Sequence, residues 1–595
     1  QLNIESGAIF KPTTGSQARN LVMGTSSAAG SIVNNGNFYL DQAGSAHLMI
    51  SGASSLYPAV CTGTNWNWDY NTSGAGKAQL SNLDIQFDVV TQAGSSNADI
   101  QLTGDCEFDA VTVSSGSVLD LNGQRIELSG AFTNAGTTTG TGYWYFTGSG
   151  TNAGGGSWTH DATTIVQQGT STATMNLRDS NSIGTLFYNQ PSVTLPLPTG
   201  SRMGRNHIVG AGTMTYDSGS PSTTDLTIAT GGTLLAGSST TTVAGDFTTS
   251  GGLIGKSAAD FITDDGTTNG NYINCGGATD SDSWGNMSVD CWVNIDHIGR
   301  QSDETTFFSR GSNALPKFGL SGGVMRFYAG SSSKALNANT TLTTGKWYHC
   351  AMSYNNSTGL LNLYLDGKLD GSATIDTGCL TADVSVSCIG AQSTGNRHMD
   401  GRMGRISVWD HQLTEAEIRA MMFYDWDALQ ADDTNFPDAL RDDCVFFYQF
   451  DEGTGDTIAD KATTSDRGGQ NDGAWQTRGS QGAAWAGAGT FTYGTSTLVM
   501  AKSGTQYINF ISGEDVYNLT VNDGSTTELS CVGDSSGILD LYGDLIVNEK
   551  LRAHSTGSTN TSIRMREVKT ITVASDVKTT ALSDVYALRL HHSSG

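Results

Sequence analysis

The segment "GKWYHCAMSYNNSTGLLNLYLDGKLDG", residues 345–371, gathers Trp347, Tyr348, Tyr354 and Tyr364 into one compact unit. Residues 347–354 read as a strand rich in aromatic and apolar side chains, 355–359 as a polar loop, and 360–365 as the returning strand. Asp366-Gly367 then makes a tight turn, because Asp-Gly tolerates the positive φ that two-residue hairpin loops require. Elsewhere the chain consists of short alternating runs of Gly, Ser and Thr, with few aromatics close together.

Further segments of the same texture lie on either side. "NMSVDCWVNID" (286–296) reads as a strand carrying Trp292, and "KFGLSGGVMRFYAG" (317–330) as a hairpin about Gly322-Gly323. Downstream, "MDGRMGRISVWDHQLTEAEIRAMM" ends in the clearest helix signal of the chain. Thr414 and Glu417 have capping-box spacing, and Leu413 and Ile418 have the spacing of a hydrophobic staple.

In order and spacing, "VDCWVNI", "GKWYHCAMSYNNSTGLLNLYLDGKL", "IGAQSTGNRHMDGRMGRISVWDHQLTEAEI" and "FYQFDEGTGDTIAD" resemble the laminin G-like, concanavalin A-like jelly-roll family. The resemblance spans about 261–485. It departs from the family pattern at Cys291 and Cys350, which replace small or aliphatic residues. It departs again in the order of elements, because "FDEGTGD" follows the other strands instead of preceding them. The resemblance implies a β-sandwich that binds glycans or proteins, often with Ca²⁺ held by loop carboxylates.

The flanking sequence is repetitive. "VTVSSGSVLDLNGQRIELSGAF" (111–132) and "LTIATGGTLLAGSSTTTVAGDF" (226–247) share strand, turn, strand and Gly-x-Phe, with first apolar residue and Phe 21 positions apart in both. Residues 518–547 repeat the theme with a longer middle, and "LNIESGAIF" from Leu2 aligns with it too. Such a unit cannot bury its apolar face alone and must stack on its neighbours. The expected fold is therefore all-β: β-solenoid-like or stacked β-sheet repeats at 1–253 and 486–595, flanking a concanavalin A-like sandwich at 254–485. Two separate β-sandwiches with similar hairpins are the alternative to a solenoid. Leu2 begins in mid-pattern, so the first coil is expected to need a preceding coil or a partner chain.

Gly makes up 75 of the 595 residues, Pro only 8, and charged residues 15%. Disordered chains carry more charge or proline, so this composition reads as ordered and rich in turns. The 57 acidic and 31 basic residues leave a net charge of −26, which repels phosphate backbones and argues against nucleic acid as a partner. The nine cysteines form no CxxC pair and no zinc-spaced cluster. Those inside apparent strands read as small buried hydrophobes rather than a disulfide framework. No apolar run is long enough to cross a membrane, and no signal peptide opens the chain. It starts at Gln1, as expected of a processed chain or a piece of a longer one.

For chemistry, the loop "TGNRHMD" (394–400) offers Asn396, Arg397 and His398 as donors to sugar hydroxyls. Asp264, Asp265, Asp280 and Asp282, with Asp296 and Asp303, are the loop carboxylates available to Ca²⁺. "GDSSG" (533–537) lacks the following Gly of a serine-protease loop, and no HExxH, P-loop or G-x-S-x-G elbow occurs. Enzyme activity is not expected. The Gly/Thr-rich repeats resemble phage fibre or capsid-decoration sequences, and cysteines without a framework suit assembly in a reducing cytoplasm. The expected function is that of a non-enzymatic virion structural or adhesion protein, a trimer by family analogy. Its partners would be other virion proteins and cell-surface glycans. A bacterial extracellular adhesin and a polysaccharide-degrading β-helix enzyme are the alternatives.

Overall fold

The computed structural model describes residues 98–573 apart from short breaks, the longest at 169–182, and the backbone of strands between Leu2 and Thr91. The repeats form a parallel β-solenoid. Val111 is the register partner of Phe132, and Leu226 of Phe247, so the 21-residue spacing is one turn of the coil. These four side chains point inward, and each coil stacks its apolar residues on those of the next in one continuous core. The turns between flats need positive φ, which Gly116 (φ 85°) and Gly231 (φ 93°) supply at equivalent places in the two repeats. In the 518–547 repeat Leu519 pairs with Leu545, a longer coil, as its longer middle requires.

The two repetitive stretches belong to one solenoid. Leu234 pairs with Phe491, Thr241 with Leu498, and Phe247 with Ile508, so the coil after the sandwich stacks directly on the coil before it. The chain leaves the solenoid after Phe247–Gly251 and rejoins it at Thr490–Thr492.

What it builds in between is a sandwich of two antiparallel sheets. The first runs Ala259–Phe261, Gly401–Trp409, Asn286–Ile295, Trp347–Asn355, Leu360–Leu365 and Lys368–Thr374, and Cys444–Tyr448 also pairs with Gly401–Trp409. The second includes Glu304–Arg310, Lys317–Ser321 and Val324–Tyr328, with Gly270–Asn274 and Gly473–Arg478 beyond them. "FDEGTGD" therefore follows a strand of the first sheet and leads to Thr457–Ile458 at the edge of the second. Met287, Val289, Cys291, Val293 and Ile295 alternate into the core between the sheets, facing Tyr348, Cys350, Met352 and Tyr354 of the opening segment. All nine thiols are free and eight are buried. Burial raises the Cys291 and Cys350 thiols well above their ordinary value, as expected of inert core residues.

The outer face of the first sheet is covered twice. Three short helices, α1 (Glu415–Met421), α2 (Trp426–Ala431) and α3 (Asp438–Arg441), cover one part. The capping box at α1 is formed: the Thr414 side chain accepts from the Glu417 amide at 3.3 Å, and the Glu417 carboxylate accepts from the Thr414 amide at 2.7 Å. Leu413 and Ile418 are both buried, as the staple requires. The solenoid itself covers the rest.

On the solenoid, Tyr145, Val166, Phe187 and Ile208 are register partners on consecutive coils, spaced 21 residues apart and facing away from the coil's own core. They pack against Trp292, Trp347 and Met422 of the inserted module. The Phe187 ring meets Trp292 edge-on at 5.1 Å and Phe423 at 5.5 Å. A Cβ on Gly210 would lie 2.5 Å from the Phe187 ring and 3.3 Å from Trp347, so only glycine allows this approach. Polar clamps flank the apolar strip. The Tyr145 hydroxyl donates to the Asp366 carbonyl at 2.6 Å, and the Gln168 amide to the Asp366 carboxylate at 3.0 Å. Asp366 (φ 49°) and Gly367 (φ 73°) form the expected tight turn, and that turn is the tip docked on the solenoid. At roughly 1.5–3 kcal/mol per fully buried large apolar side chain, the strip joins solenoid and sandwich into one body.

Candidate functional site

With one face of the sandwich committed to the solenoid, the loops at an end of the sandwich remain open. The loop after Asn286–Ile295 and the loop before Gly401–Trp409 are tied together: the Asp296 amide donates to the Asp400 carbonyl at 3.0 Å. The Asn396 carbonyl accepts from the Gln392 amide at 2.9 Å. Arg397 follows at φ 56°, a left-handed conformation, and its carbonyl accepts from the Thr306 amide at 3.1 Å.

Carboxylates meet Arg and His side chains along this rim. Arg402 bonds Asp296 at 2.9 Å. His297 meets Asp400 at 3.0 Å. Arg397 meets Glu304, which also holds Arg326 at 3.0 Å. The pairs are partly open to water: Arg397 is 32% exposed, Asp296 33% and His297 54%. Burial holds the Arg397 guanidinium below its ordinary range and raises the Asp260 carboxyl beside Arg402. Burial, with Arg326 nearby, brings the Lys317 ammonium down to about 8.

The residues expected from sequence fall in different places. Asn396 and Arg397 are on the rim, both half-buried. His398 is turned inward and only 3% exposed. Its Nδ1 lies 3.3 Å from the Asn271 carbonyl oxygen, and its ring packs on Gly270 and 5.9 Å from Tyr272. It braces the loop from below. Asp296 is on the rim, while Asp264, Asp265, Asp280, Asp282 and Asp303 lie outside the described residues. Among the described residues no three Asp, Glu, His or Cys side chains gather as a metal would require. Asp296 is engaged by Arg402 and Asp400 meets His297, and among the described residues no further carboxylate gathers with them as Ca²⁺ would require. His297, Glu304, Asp400 and Arg402 were not singled out from sequence, because each pairs with a residue on another loop. The one local signal was charge placed directly after a buried strand.

Residues 265–419 match the family described as the Concanavalin A-like lectin/glucanases superfamily, in its laminin G form. Human pentraxin-related protein PTX3 is 26% identical over 147 residues, which are 22% of this chain and 38% of that protein, so the chain spans well under half of this relative. Domains LG4-5 of the mouse laminin alpha1 chain are 18% identical, covering 28% of this chain and 45% of theirs, with a TM-score of 0.21. The SAP-like pentraxin of Limulus polyphemus is 14% identical, covering 28% of this chain and 80% of its own, with a TM-score of 0.22. The strand order, the aromatic hairpin and the family match agree: residues 265–419 are a laminin G-like, concanavalin A-like domain, carried as an insertion in a β-solenoid.

Proposed function

We propose that this chain is a non-enzymatic adhesion protein whose laminin G-like sandwich recognises surface glycans and whose solenoid is a stiff stem. The observation that carries the reading is the partly exposed rim, where Arg402 pairs with Asp296, Arg397 with Glu304, and His297 meets Asp400. A sugar hydroxyl both donates and accepts, and neighbouring hydroxyls can bridge a carboxylate and a guanidinium at once. A rim on a head locked to the stem is also held in place before the ligand arrives, which lowers the cost of binding. The reading extends to a virion surface, as a phage fibre or capsid decoration assembled as a trimer. The Gly/Thr-rich parallel solenoid supports it, as do eight buried free thiols suited to folding in a reducing cytoplasm. A Ca²⁺ ion on Asp264, Asp265, Asp280 and Asp282 completes the proposal.

The test is a glycan array probed with the purified chain and with Arg397→Ala. Glycans retained by the wild type and lost by Arg397→Ala at an unchanged melting midpoint would support the head. An array with no retained glycan would overturn it. Light scattering tests the assembly against three times the 62.4 kDa chain mass. A rise in melting midpoint on adding Ca²⁺, absent in Asp264→Asn/Asp265→Asn, tests the metal.

A further inference from the structure

The junction of the two modules encloses a second candidate site, remote from the rim in its residues and opposite in its chemistry. Between the solenoid flank and the helical layer runs a cavity of about 900 Å³. One wall is a row of register partners on consecutive coils: Tyr143, Thr164, Thr185, Asn206 and Asp225. At about 4.8 Å between neighbouring strands, that row is roughly 19 Å long and runs along the solenoid axis. The facing wall is α1, the turn after it and the start of α2, where Ala416, Ala420 and Ala428 line the space. Three small side chains on this wall leave the space before the coils unfilled. Leucines there would close the gap.

The lining selects a type of ligand. Among the described residues, the hydroxyls of Thr164 and Thr185 form no hydrogen bond within the chain, and the Thr103 hydroxyl at the near end is buried without a partner. A row of hydroxyls one strand apart offers repeated donor and acceptor contacts. An apolar occupant would leave them unsatisfied. The rings of Tyr143, Phe423 and Tyr424 add apolar faces on which sugar rings can stack. Asp105, Glu415 and Asp225 outnumber the lining cation Arg419, which Asp105 (2.6 Å) and Glu415 (2.7 Å) already engage. A negative cavity disfavours sulfated or uronic-acid polymers and nucleic acid.

We propose that this groove binds a linear, neutral glycan laid along the solenoid axis across successive coils. It is a site separate from the rim, formed only where solenoid and sandwich meet.

The test is isothermal titration of the full chain with cellohexaose, xylohexaose, maltohexaose and chitohexaose, and with a heparin hexasaccharide as the charged comparison. At least one neutral hexasaccharide should bind, and heparin should not compete for its site. Ala416→Trp, at an exposed helix position, fills the groove and should weaken that binding by at least about tenfold, a loss of about 1.4 kcal/mol. Thr185→Val keeps the shape and removes one hydroxyl, so a loss of about two- to tenfold is expected from one hydrogen bond. Arg397→Ala should leave this binding unchanged, which separates the groove from the rim. The proposal is overturned if no neutral hexasaccharide binds, if heparin binds better, or if binding survives Ala416→Trp and Thr185→Val at full strength.

Discussion

Trp347 shows how one residue can belong to two cores. Along Trp347–Asn355 the side chains of Tyr348, Cys350, Met352 and Tyr354 enter the sandwich, while Trp347 lies on the other face and is fully buried against the solenoid. Its backbone is held as a strand edge would be: the Asn189 amide donates to the Trp347 carbonyl at 2.6 Å and accepts from the Trp347 amide at 3.0 Å. Trp347→Ala should therefore cost about 3–5 kcal/mol, as for other buried tryptophans. Asn189→Ala should cost about 1–3 kcal/mol, by leaving buried backbone groups unpaired. Urea unfolding measures both, and a Trp347→Ala midpoint equal to wild type would refute the double role. The strand and its turn were legible from composition and from Asp-Gly. That Trp292 and Trp347 both sit on the face away from Cys291 and Cys350 was the available sign of a second covering layer. His398 was not legible in this way, because the left-handed backbone at Arg397 redirects the next side chain inward, and a single sequence does not show φ.

At the level of elements, the 21-residue period was readable from Val111 to Phe132 and from Leu226 to Phe247, and it fixes the coil. The same period recurs at Tyr145, Val166, Phe187 and Ile208, a bulky outward ladder on a solenoid flank. Apolar residues repeated on the solvent face of a coil imply that the flank is covered. Recognising them as outward requires knowing that Trp144, Ile165 and Leu186, their immediate neighbours, fill the coil. Phe187 lies at the centre of this ladder, in contact with Trp292 and Phe423. Truncation to alanine should cost about 3–5 kcal/mol and loosen the sandwich from the stem. Calorimetry should then resolve two heat-absorption peaks where the wild type shows one. A single unbroken peak in Phe187→Ala would mean that the ladder does not couple the modules. The capping box makes a smaller prediction: Thr414→Ala should lower stability by about 0.5–2 kcal/mol, and Thr414→Ser should restore most of it.

For the whole molecule, the sandwich interrupts a solenoid that resumes in register, with Thr233 paired to Thr490 across the insertion. Similar repeats on both sides were visible in sequence, but a period cannot show that two distant coils are neighbours. The assembly also places carboxylates where burial works against their charge. Burial raises Asp225 to about 6 against the hydrogen bond from the Asp246 amide, with the nearby carboxylates of Asp246 and of Asp425 on the helical layer adding to the rise. Asp460 reaches about 6 and Glu514 about 7, again chiefly through burial. Each of these groups binds its proton more tightly folded than unfolded, where Asp and Glu titrate near 3.8 and 4.5. Their protonated forms cost nothing extra below the unfolded values, and stability is lost as pH rises through about 4 to 7. Asp290, beside Arg405 and His349, and Glu127, beside Arg125, are held below their ordinary values despite burial, so their contribution is lost only as pH falls below about 4. The melting midpoint should consequently peak near pH 5 and fall toward pH 8, with the net charge of −26 adding to the loss at high pH. Asp225→Asn keeps an oxygen to accept the 2.8 Å hydrogen bond from the Asp246 amide while removing the titrating charge. Together with Glu514→Gln it should raise the midpoint at pH 8 and flatten the slope between pH 5 and 8. A slope as steep in the double variant as in the wild type would assign the pH dependence to general charge repulsion instead, and that component alone should vanish in high salt.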